Sequence, residues 1–171
     1  MARVADVIFQ RIAQHTDTVY TLPGGGAMFL VDALGRSGLR VVSNIHEQGA
    51  GFAALGHAMI GGLGVCLVTS GPGATNAMTA CLAAWTDSIP VLFISGQART
   101  EAMQGLRTRS KGLQYVDTVR MVKGITKKAY EPQGNHDCIM ALDDMLLECM
   151  SGRKAPCWLS VPQNVQAMSY E

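Results

Sequence analysis

The sequence predicts an α/β fold, a doubly wound and mainly parallel sheet of about six strands with helices on both faces. Short apolar runs alternate along the chain with segments of helical periodicity. These runs are continuously apolar, whereas strands with one face in water alternate polar and apolar residues. Both faces of the sheet should therefore be covered by helices. With 48% hydrophobic content, the 171 residues are enough for the core of one domain spanning residues 1–171.

The elements of the first half follow from periodicity and turn residues. Residues 4–13 have apolar side chains at helical spacing, and the β-branched run 18–22 is stopped by Pro23-Gly24-Gly25-Gly26. The same reasoning predicts a helix over 27–34, a strand over 39–43 and a helix over 47–60.

The second half repeats this alternation, apart from one charged segment. Its predicted elements are strands at 64–69, 90–95, 125–130 and 157–161 and helices at 74–85 and 137–150, the last ending near Gly152. Residues 98–115 are charged and show only weak periodicity. Such a long loop within a compact domain is usually functional.

Composition and charge exclude several classes of function. The net charge is +1 and the chain has no basic stripe, so a nucleic-acid partner is not expected. No apolar stretch reaches the roughly 18 residues of a membrane helix, and the N-terminus lacks the apolar centre of a signal peptide. We therefore expect a cytoplasmic protein.

The five cysteines have no Cys-x-x-Cys spacing, and the four histidines form no ligand motif. This predicts buried reduced thiols and no metal bound by this chain alone.

Two segments are the main candidates for a site. His46-Glu47-Gln48 and Ser70-Gly71-Pro72-Gly73-Ala74-Thr75-Asn76 each follow an apolar run and open a helix of small residues. We expect them to face one crevice at the strand ends, where open α/β sheets bind ligands. Taken alone, Asn44 to Glu47 fits a capping box, with Asn44 as the N-cap and Glu47 reaching back to its backbone N–H. The small residues over 49–56 instead favour a flat ligand packed beside Glu47.

The glycine-rich turns at 23–26 and 70–73 allow two interpretations. Glycines between a strand and a helix can expose backbone N–H groups to a phosphate. Neither turn matches Gly-x-Gly-x-x-Gly or the Walker pattern, so close backbone approach is the favoured interpretation. A doubly wound nucleotide binder that uses residues 70–73 stays open as an alternative. Thr69 and Asn76 could hydrogen-bond a planar polar ligand or satisfy their own turns.

These motifs, in this order, resemble the pyrimidine-binding N-terminal domain of thiamine diphosphate enzymes of the acetolactate synthase type. The resemblance runs from Val4 to Gln166 and rests on Pro23-Gly-Gly, His46-Glu47-Gln48, Ser70 to Asn76, Ala84-Trp-Thr-Asp-Ser-Ile-Pro90, Ile94-Ser-Gly-Gln97, Gln114 with Asp117, Ile125-Thr-Lys127 and Val161-Pro-x-x-Val-Gln166. Within the family, residues 23–28 and 125–128 look closest to the acetolactate synthase-like enzymes of bacterial surface-polysaccharide pathways.

The resemblance implies a catalytic role for Glu47. In the family, the glutamate at this position hydrogen-bonds N1′ of the aminopyrimidine and so activates the cofactor for attack on a 2-oxo acid, such as pyruvate, which is then decarboxylated. The resemblance also places Gly25, Thr69, Pro72 and Asn76 around the aminopyrimidine. Gln114 is placed on the substrate side.

The resemblance implies an incomplete active site as well. Family members hold the cofactor's diphosphate through Mg²⁺ with a Gly-Asp-Gly…Asn motif in another domain, and no Gly-Asp-Gly occurs in these 171 residues. The expected partner is therefore a second copy of the chain or a diphosphate-binding domain or subunit, because the family's active site lies between two subunits. Two alternatives keep the same fold: one subunit of a split 2-oxo acid decarboxylase, and a non-catalytic interaction or regulatory module.

Overall fold

The computed structural model describes residues 1–104 and 108–171 and contains two sheets in that part of the chain. The strands are β1 (Ala2–Arg3), β2 (Thr18–Leu22), β3 (Arg40–Ser43), β4 (Gly64–Val68), β5 (Val91–Gln97), β6 (Lys128–Tyr130), β7 (Cys157–Pro162) and β8 (Ser169–Tyr170). Six of them form an all-parallel sheet in the order β3-β2-β4-β5-β7-β6, and β1 pairs antiparallel with β8.

Helices flank the main sheet. They are α1 (Val4–Ile12), α2 (Met28–Arg36), α3 (Glu47–Ile60), α4 (Pro72–Asp87), α5 (Thr100–Met103), α6 (Thr118–Val122), α7 (Asn135–Met150) and α8 (Gln163–Ala167). Those from α2 to α7 lie in the connections between its strands. Short 3₁₀ helices precede α2 at Gly25–Ala27 and follow α6 at Lys123–Ile125. Parallel strands need such crossovers, because consecutive strands must start from the same edge of the sheet.

Two hydrophobic clusters lie on opposite faces of the main sheet. The first packs α1, α2 and α7 against one face, and the second packs α3, α4 and α6 against the other. In the second cluster the fully buried Trp158 stacks on Phe93, with ring centroids 5.0 Å apart and an angle of 9° between the planes. The indole Nε1–H donates to Ser95 Oγ at 3.0 Å, so the polar atom of this large side chain is satisfied. The predicted doubly wound α/β fold is confirmed.

The main differences from the predicted elements lie after β5. The segment 98–115 was expected to be a loop, but the short helix α5 occupies part of it, and residues 105–107 of this segment lie outside the described residues. Helices α6 and α8 were not predicted. Each has only five residues, too few for apolar periodicity to be visible in the sequence.

The cysteines agree with the expectation of buried thiols. All five are buried and none is paired in a disulfide. Burial raises the pKa of the Cys66 thiol far above its ordinary range, which makes it a poor nucleophile. Among the helices of the described residues, none is long and apolar enough to cross a membrane.

Candidate functional site

The candidate site lies where the strand order reverses. Strand β2 pairs with β3 on one side and with β4 on the other. The chain therefore passes from β2 to β3 on one side, and the connection from β3 to β4 then crosses to the opposite side of β2. The carboxyl ends of these strands lead into the glycine turn after Leu22, the start of α3 and the turn after Val68. A crevice at such a switch point is where open α/β sheets bind ligands. The two segments singled out in the sequence therefore meet at one edge of the sheet, as predicted.

Glu47 is the first residue of α3, and its side chain does not cap the helix. The N-cap is His46, whose Nδ1 accepts from the Gln48 backbone N–H at 3.1 Å. Asn44 is not the N-cap, because α3 begins only at Glu47; its backbone N–H donates to Thr21 O at 2.8 Å and extends the ladder between β2 and β3. The capping-box interpretation is therefore wrong.

The Glu47 carboxylate instead crosses to the next helix. Its Oε2 accepts from Asn76 Nδ2 at 3.0 Å, which joins the first turn of α3 to the first turns of α4. The half-buried carboxylate lies beside Gly73, where a Cβ atom would stand 3.6 Å from Glu47 Oε1 and 2.7 Å from Thr69 Cγ2. Only a glycine leaves this space between Glu47 and Thr69 undisturbed. The structure thus brings Glu47, Thr69 and Asn76 together.

The glycine turn after β2 is held from two sides. The Gly26 N–H donates to Thr69 Oγ1 at 3.0 Å, and Gln166 Nε2 donates to Gly26 O at 2.9 Å. Gln163 Nε2 adds a weaker bond to Gly25 O at 3.3 Å. Within residues 1–104 and 108–171, no atom lies within 4 Å of the position that a Gly25 Cβ would take, so the turn presents bare backbone at this point.

The turn at residues 70–73 is closed by the chain itself. Gly71 has a φ of +55°, which favours glycine, and a Cβ there would overlap the carbonyl of Gln114. The Gly73 N–H donates back to Ser70 O at 3.2 Å. A phosphate cradle needs several free N–H groups, whereas Pro72 has no N–H and the Gly73 N–H is already bonded within the turn. The geometry therefore argues against a nucleotide phosphate at residues 70–73.

Gln114 and Gly25 line a cavity of about 400 Å³ next to this turn. Among the described residues, its lining includes Gly25, Gly26, Met28, Ser70, Gln97, Ala98, Arg99, Ala102, Gly112, Leu113, Gln114 and Gln163. Glu47, Thr69 and Asn76 are not part of this lining, and neither is the exposed Pro72 that begins α4. The predicted residues thus fall into two groups, one around Glu47 and one around the cavity, bridged by the Thr69 to Gly26 hydrogen bond.

Sequence reasoning assigned no role to two buried glutamines at this edge. Gln166 holds the carbonyl of Gly26, and Gln97 forms part of the cavity lining. Both lie in segments that carried the family resemblance and both are buried: Gln97 is the last residue of β5, and Gln166 lies in α8, four residues after β7 ends. A glutamine at or near the end of an apolar run is the signal that could have identified them, since buried polar groups are nearly always hydrogen-bonded.

Helices α3 and α4 pack closely below the Glu47 to Asn76 hydrogen bond. A Cβ at Gly51 would stand 2.6 Å from Ala80 Cβ, so the two helices touch at small residues. Apart from Glu47, His57, Cys81 and Asp87, neither helix carries an ionisable residue. Their outward-facing apolar side chains include Phe52, Met59, Ile60, Leu82 and Trp85, each at least 39% exposed. We call these five residues the α3–α4 apolar surface.

Metal ligands are not assembled around the site. In residues 1–104 and 108–171, no group of three or more histidine, cysteine, aspartate or glutamate side chains could hold a metal ion. The polar groups here are one carboxylate, amides, a hydroxyl and backbone N–H groups. This set suits the hydrogen-bonded recognition of a planar heterocycle.

The fold and the site define a ligand-binding α/β domain with a carboxylate at its switch point. The sequence matches the model of the family "Thiamine pyrophosphate enzyme, N-terminal TPP binding domain" over residues 2–121. The chain belongs to this family, and it corresponds to the N-terminal cofactor-binding domain of acetolactate synthase-like enzymes.

Individual relatives give the same result. The chain is 38% identical over 170 residues to the acetolactate synthase isozyme 1 large subunit of Escherichia coli K12, which covers 98% of the chain and 29% of that relative. It is 35% identical to the isozyme 2 large subunit of the same organism, over 92% of the chain and 28% of the relative. For the chloroplastic acetolactate synthase of Arabidopsis thaliana the identity is 35%, over 95% of the chain and 24% of the relative. The chain therefore spans about a quarter of the length of these relatives.

Proposed function

We propose that residues 1–171 form a single domain that holds the aminopyrimidine end of thiamine diphosphate in an acetolactate synthase-like carboligase acting on a 2-oxo acid. The observation that carries the proposal is the arrangement of Glu47. Its Oε2 is fixed by Asn76, while Oε1 lies beside Gly73. A carboxylate held by one oxygen keeps the other available for a ligand.

The surroundings of Glu47 fit a planar ring. Among the described residues, no atom lies within 4 Å of the position that a Gly25 Cβ would take, so the backbone of this turn is open to close approach. The amide of Asn76 supplies polar atoms at the same edge. We assign Gly25, Thr69, Pro72 and Asn76 to cofactor binding. Thr69 contributes by accepting a hydrogen bond from the Gly26 N–H, which holds the glycine turn in place.

Glu47 is assigned the catalytic role. When bound, thiamine diphosphate supplies the electron sink for decarboxylation of the 2-oxo acid. The task of Glu47 is to share a proton at Oε1 with a ring nitrogen, and Asn76 orients the carboxylate for that contact. Gln114 is assigned to the substrate side, because its segment covers Gly71 and lines the neighbouring cavity.

The chain requires a partner for this function. We propose that Mg²⁺ and the diphosphate are held by a domain not contained in this sequence, either in a diphosphate-binding subunit or in a homodimer. The α3–α4 apolar surface supports this, because exposed apolar side chains on neighbouring helices are typical of an interaction site. It lies on the two helices that carry Glu47 and Asn76, and Phe52 is its member nearest to Glu47 in the chain. A cytoplasmic location and membership of the surface-polysaccharide subgroup stay predictions.

The proposal is tested by joining the chain to a diphosphate-binding domain and measuring turnover of pyruvate with thiamine diphosphate and Mg²⁺. Loss of a positioned general acid or base costs about 10²- to 10⁴-fold, so Glu47→Gln should lower kcat by that factor. The matched control is Glu148→Gln, a half-exposed carboxylate on α7 that pairs with Lys127. An active Glu47→Gln enzyme refutes the mechanism.

Calorimetry separates the remaining alternatives. A non-catalytic module predicts no heat of thiamine diphosphate binding with any candidate partner, whereas a subunit of a split decarboxylase predicts binding only after the partner is added. A nucleotide binder predicts protection by a dinucleotide and none by thiamine diphosphate.

A further inference from the structure

Gln97 is a buried amide whose polar atoms are all used at the carboxyl end of β5. It is 1% exposed. Its Nε2 donates to Val116 O at 2.8 Å and to Glu131 Oε2 at 2.9 Å, while its Oε1 accepts from the Ala98 N–H at 2.9 Å. One side chain thus connects the end of a central strand to the segment after the cavity and to the residue that follows β6.

Glu131 completes this connection from the sheet edge. The same Oε2 that accepts from Gln97 also lies 3.4 Å from the donor Ser160 Oγ of β7. Among the described residues, no lysine or arginine forms an ion pair with Glu131. Burial raises the pKa of this carboxyl, which the hydrogen bonds from Gln97 and Ser160 partly oppose. Burying a carboxylate at this position costs desolvation free energy, so a contribution to stability does not explain why residue 131 is a glutamate.

The segment that these two residues hold is the one that carries Gln114. Val116, whose carbonyl Gln97 binds, is two residues after Gln114. Gln114 adopts a left-handed conformation with a φ of +56°, and its carbonyl packs against Gly71 in the turn that opens α4. A non-glycine residue keeps such a conformation only where neighbouring contacts fix the chain.

We propose that Gln97 and Glu131 are positioning residues for the substrate side of the site, which hold residues 112–116 over Gly71 so that Gln114 faces the cavity. This inference rests on the proposed function for the role of Gln114. Gln97 itself lines the cavity, so it belongs to the wall that it supports. Glu131 acts through Gln97 and does not line the cavity.

Hydrogen exchange of the chain without cofactor tests the positioning directly. A net hydrogen bond contributes about 0.5–1.5 kcal/mol, so Glu131→Ala should speed exchange of the amides in residues 112–117 by about 2- to 10-fold. Glu131→Gln keeps an acceptor oxygen for Gln97 and should restore the protection. The control is Asp87→Ala, an exposed carboxylate at the far end of α4.

Two results of this experiment overturn the proposal. One is equal protection of residues 112–117 in the parent chain and in Glu131→Ala. The other is faster exchange throughout the chain, including β4, which identifies Glu131 as a general stability residue. Gln97→Ala is a second variant with the same expected local effect, in case Glu131→Ala does not fold.

Kinetics test the functional part on the chain joined to a diphosphate-binding domain. Glu131→Ala should raise KM for the 2-oxo acid by about the same factor as the exchange rate, with kcat and the Kd for thiamine diphosphate nearly unchanged. A fall in kcat with constant KM overturns the proposal. The exchange experiment uses no cofactor, so its result does not depend on the proposed function. Failure of the proposed function is seen separately, as unchanged activity in Glu47→Gln.

Discussion

Gly96→Ala should destabilise both the sheet and the site, because β5 touches the glycine turn at this residue. Gly96 lies next to the end of β5 and pairs with Val161 of β7. A Cβ at Gly96 would overlap the carbonyl group of Gly26 and stand 2.8 Å from the backbone nitrogen of Ala27. These are main-chain atoms, so no side-chain rotation can relieve the contact. The turn has to move away from the strand.

The size of the effect follows from that displacement. Ordinary contacts of a Cβ atom begin at 3.4 Å, so the turn must shift by several tenths of an ångström or more. Overpacking of this kind costs about 1–3 kcal/mol. The same shift stretches the hydrogen bonds of Gly26 to Thr69 and Gln166, each contributing about 1 kcal/mol. Full loss of both bonds brings the total to about 3–5 kcal/mol, which lowers Tm by roughly 6–20 °C for a chain of this size.

Calorimetric unfolding measures this effect, with Gly35→Ala as the matched control. Gly35 lies in α2, and no atom stands within 4 Å of its Cβ position. Alanine is favoured over glycine in a helix by about 0.5–1 kcal/mol, so the control should leave Tm unchanged or slightly raised. If Gly96→Ala unfolds at the same temperature as Gly35→Ala, the contact between β5 and the turn does not hold the site in place, and the reasoning is refuted.

Substitutions at three further residues test the hydrogen bonds, packing and titration around the site. Thr69→Val leaves the Gly26 N–H without its acceptor and should lower the free energy of unfolding by about 1–3 kcal/mol in urea titration, while Thr69→Ser keeps the hydroxyl and should lose less. Phe93→Ala removes the ring stacked on Trp158 and should cost about 3–5 kcal/mol; a loss below 1 kcal/mol in the same titration would contradict the packing described. Burial raises the pKa of Glu131 above its ordinary value of 4.5, so the folded parent chain loses stability as pH rises and this carboxyl ionises. The Glu131→Gln side chain does not titrate. The free energy of unfolding of this variant should therefore increase relative to that of the parent between pH 4 and pH 7. Urea midpoints of both chains at the two pH values measure this difference. If the variant instead becomes less stable relative to the parent as pH rises, burial is not the cause of the pKa shift.

The sequence predicted best those elements whose signals are local. The bounds of β2 and α3 agree with the predicted 18–22 and 47–60, because a β-branched run ended by Pro23 and a helix ended by Gly61 are marked by their own residues. The start of α3 was assigned to the right residue for the wrong reason. The extra ladder hydrogen bond from Asn44 to Thr21 is a long-range contact, and the four-residue capping pattern contains no information about it.

The parts of the site that escaped prediction depend on contacts between distant segments. Gln114 and Gly71 are 43 positions apart in the chain, and their contact fixes the shape of the cavity wall. Gln166 is 140 positions from Gly26, whose carbonyl it holds. Sequence motifs indicated which residues matter but not which residues they touch, because pairings of this kind are set by the sheet order.

The sheet order also explains why Glu47 is aimed into the crevice. With Asn44 hydrogen-bonded to β2, the chain has only two residues, Ile45 and His46, in which to leave the sheet before α3 begins. His46 takes the N-cap position, so Glu47 becomes the first helical residue and its carboxylate is not needed at the backbone N–H groups. Helix α4 places Asn76 within hydrogen-bonding distance of Oε2, and the backbone of Gly73 lies close to Oε1. If a substitution made Asn44 the N-cap, the Glu47 side chain would bind the backbone N–H groups of its own helix. The hydrogen bond from the Asn44 N–H to Thr21 O therefore decides whether this carboxylate can contact a ligand.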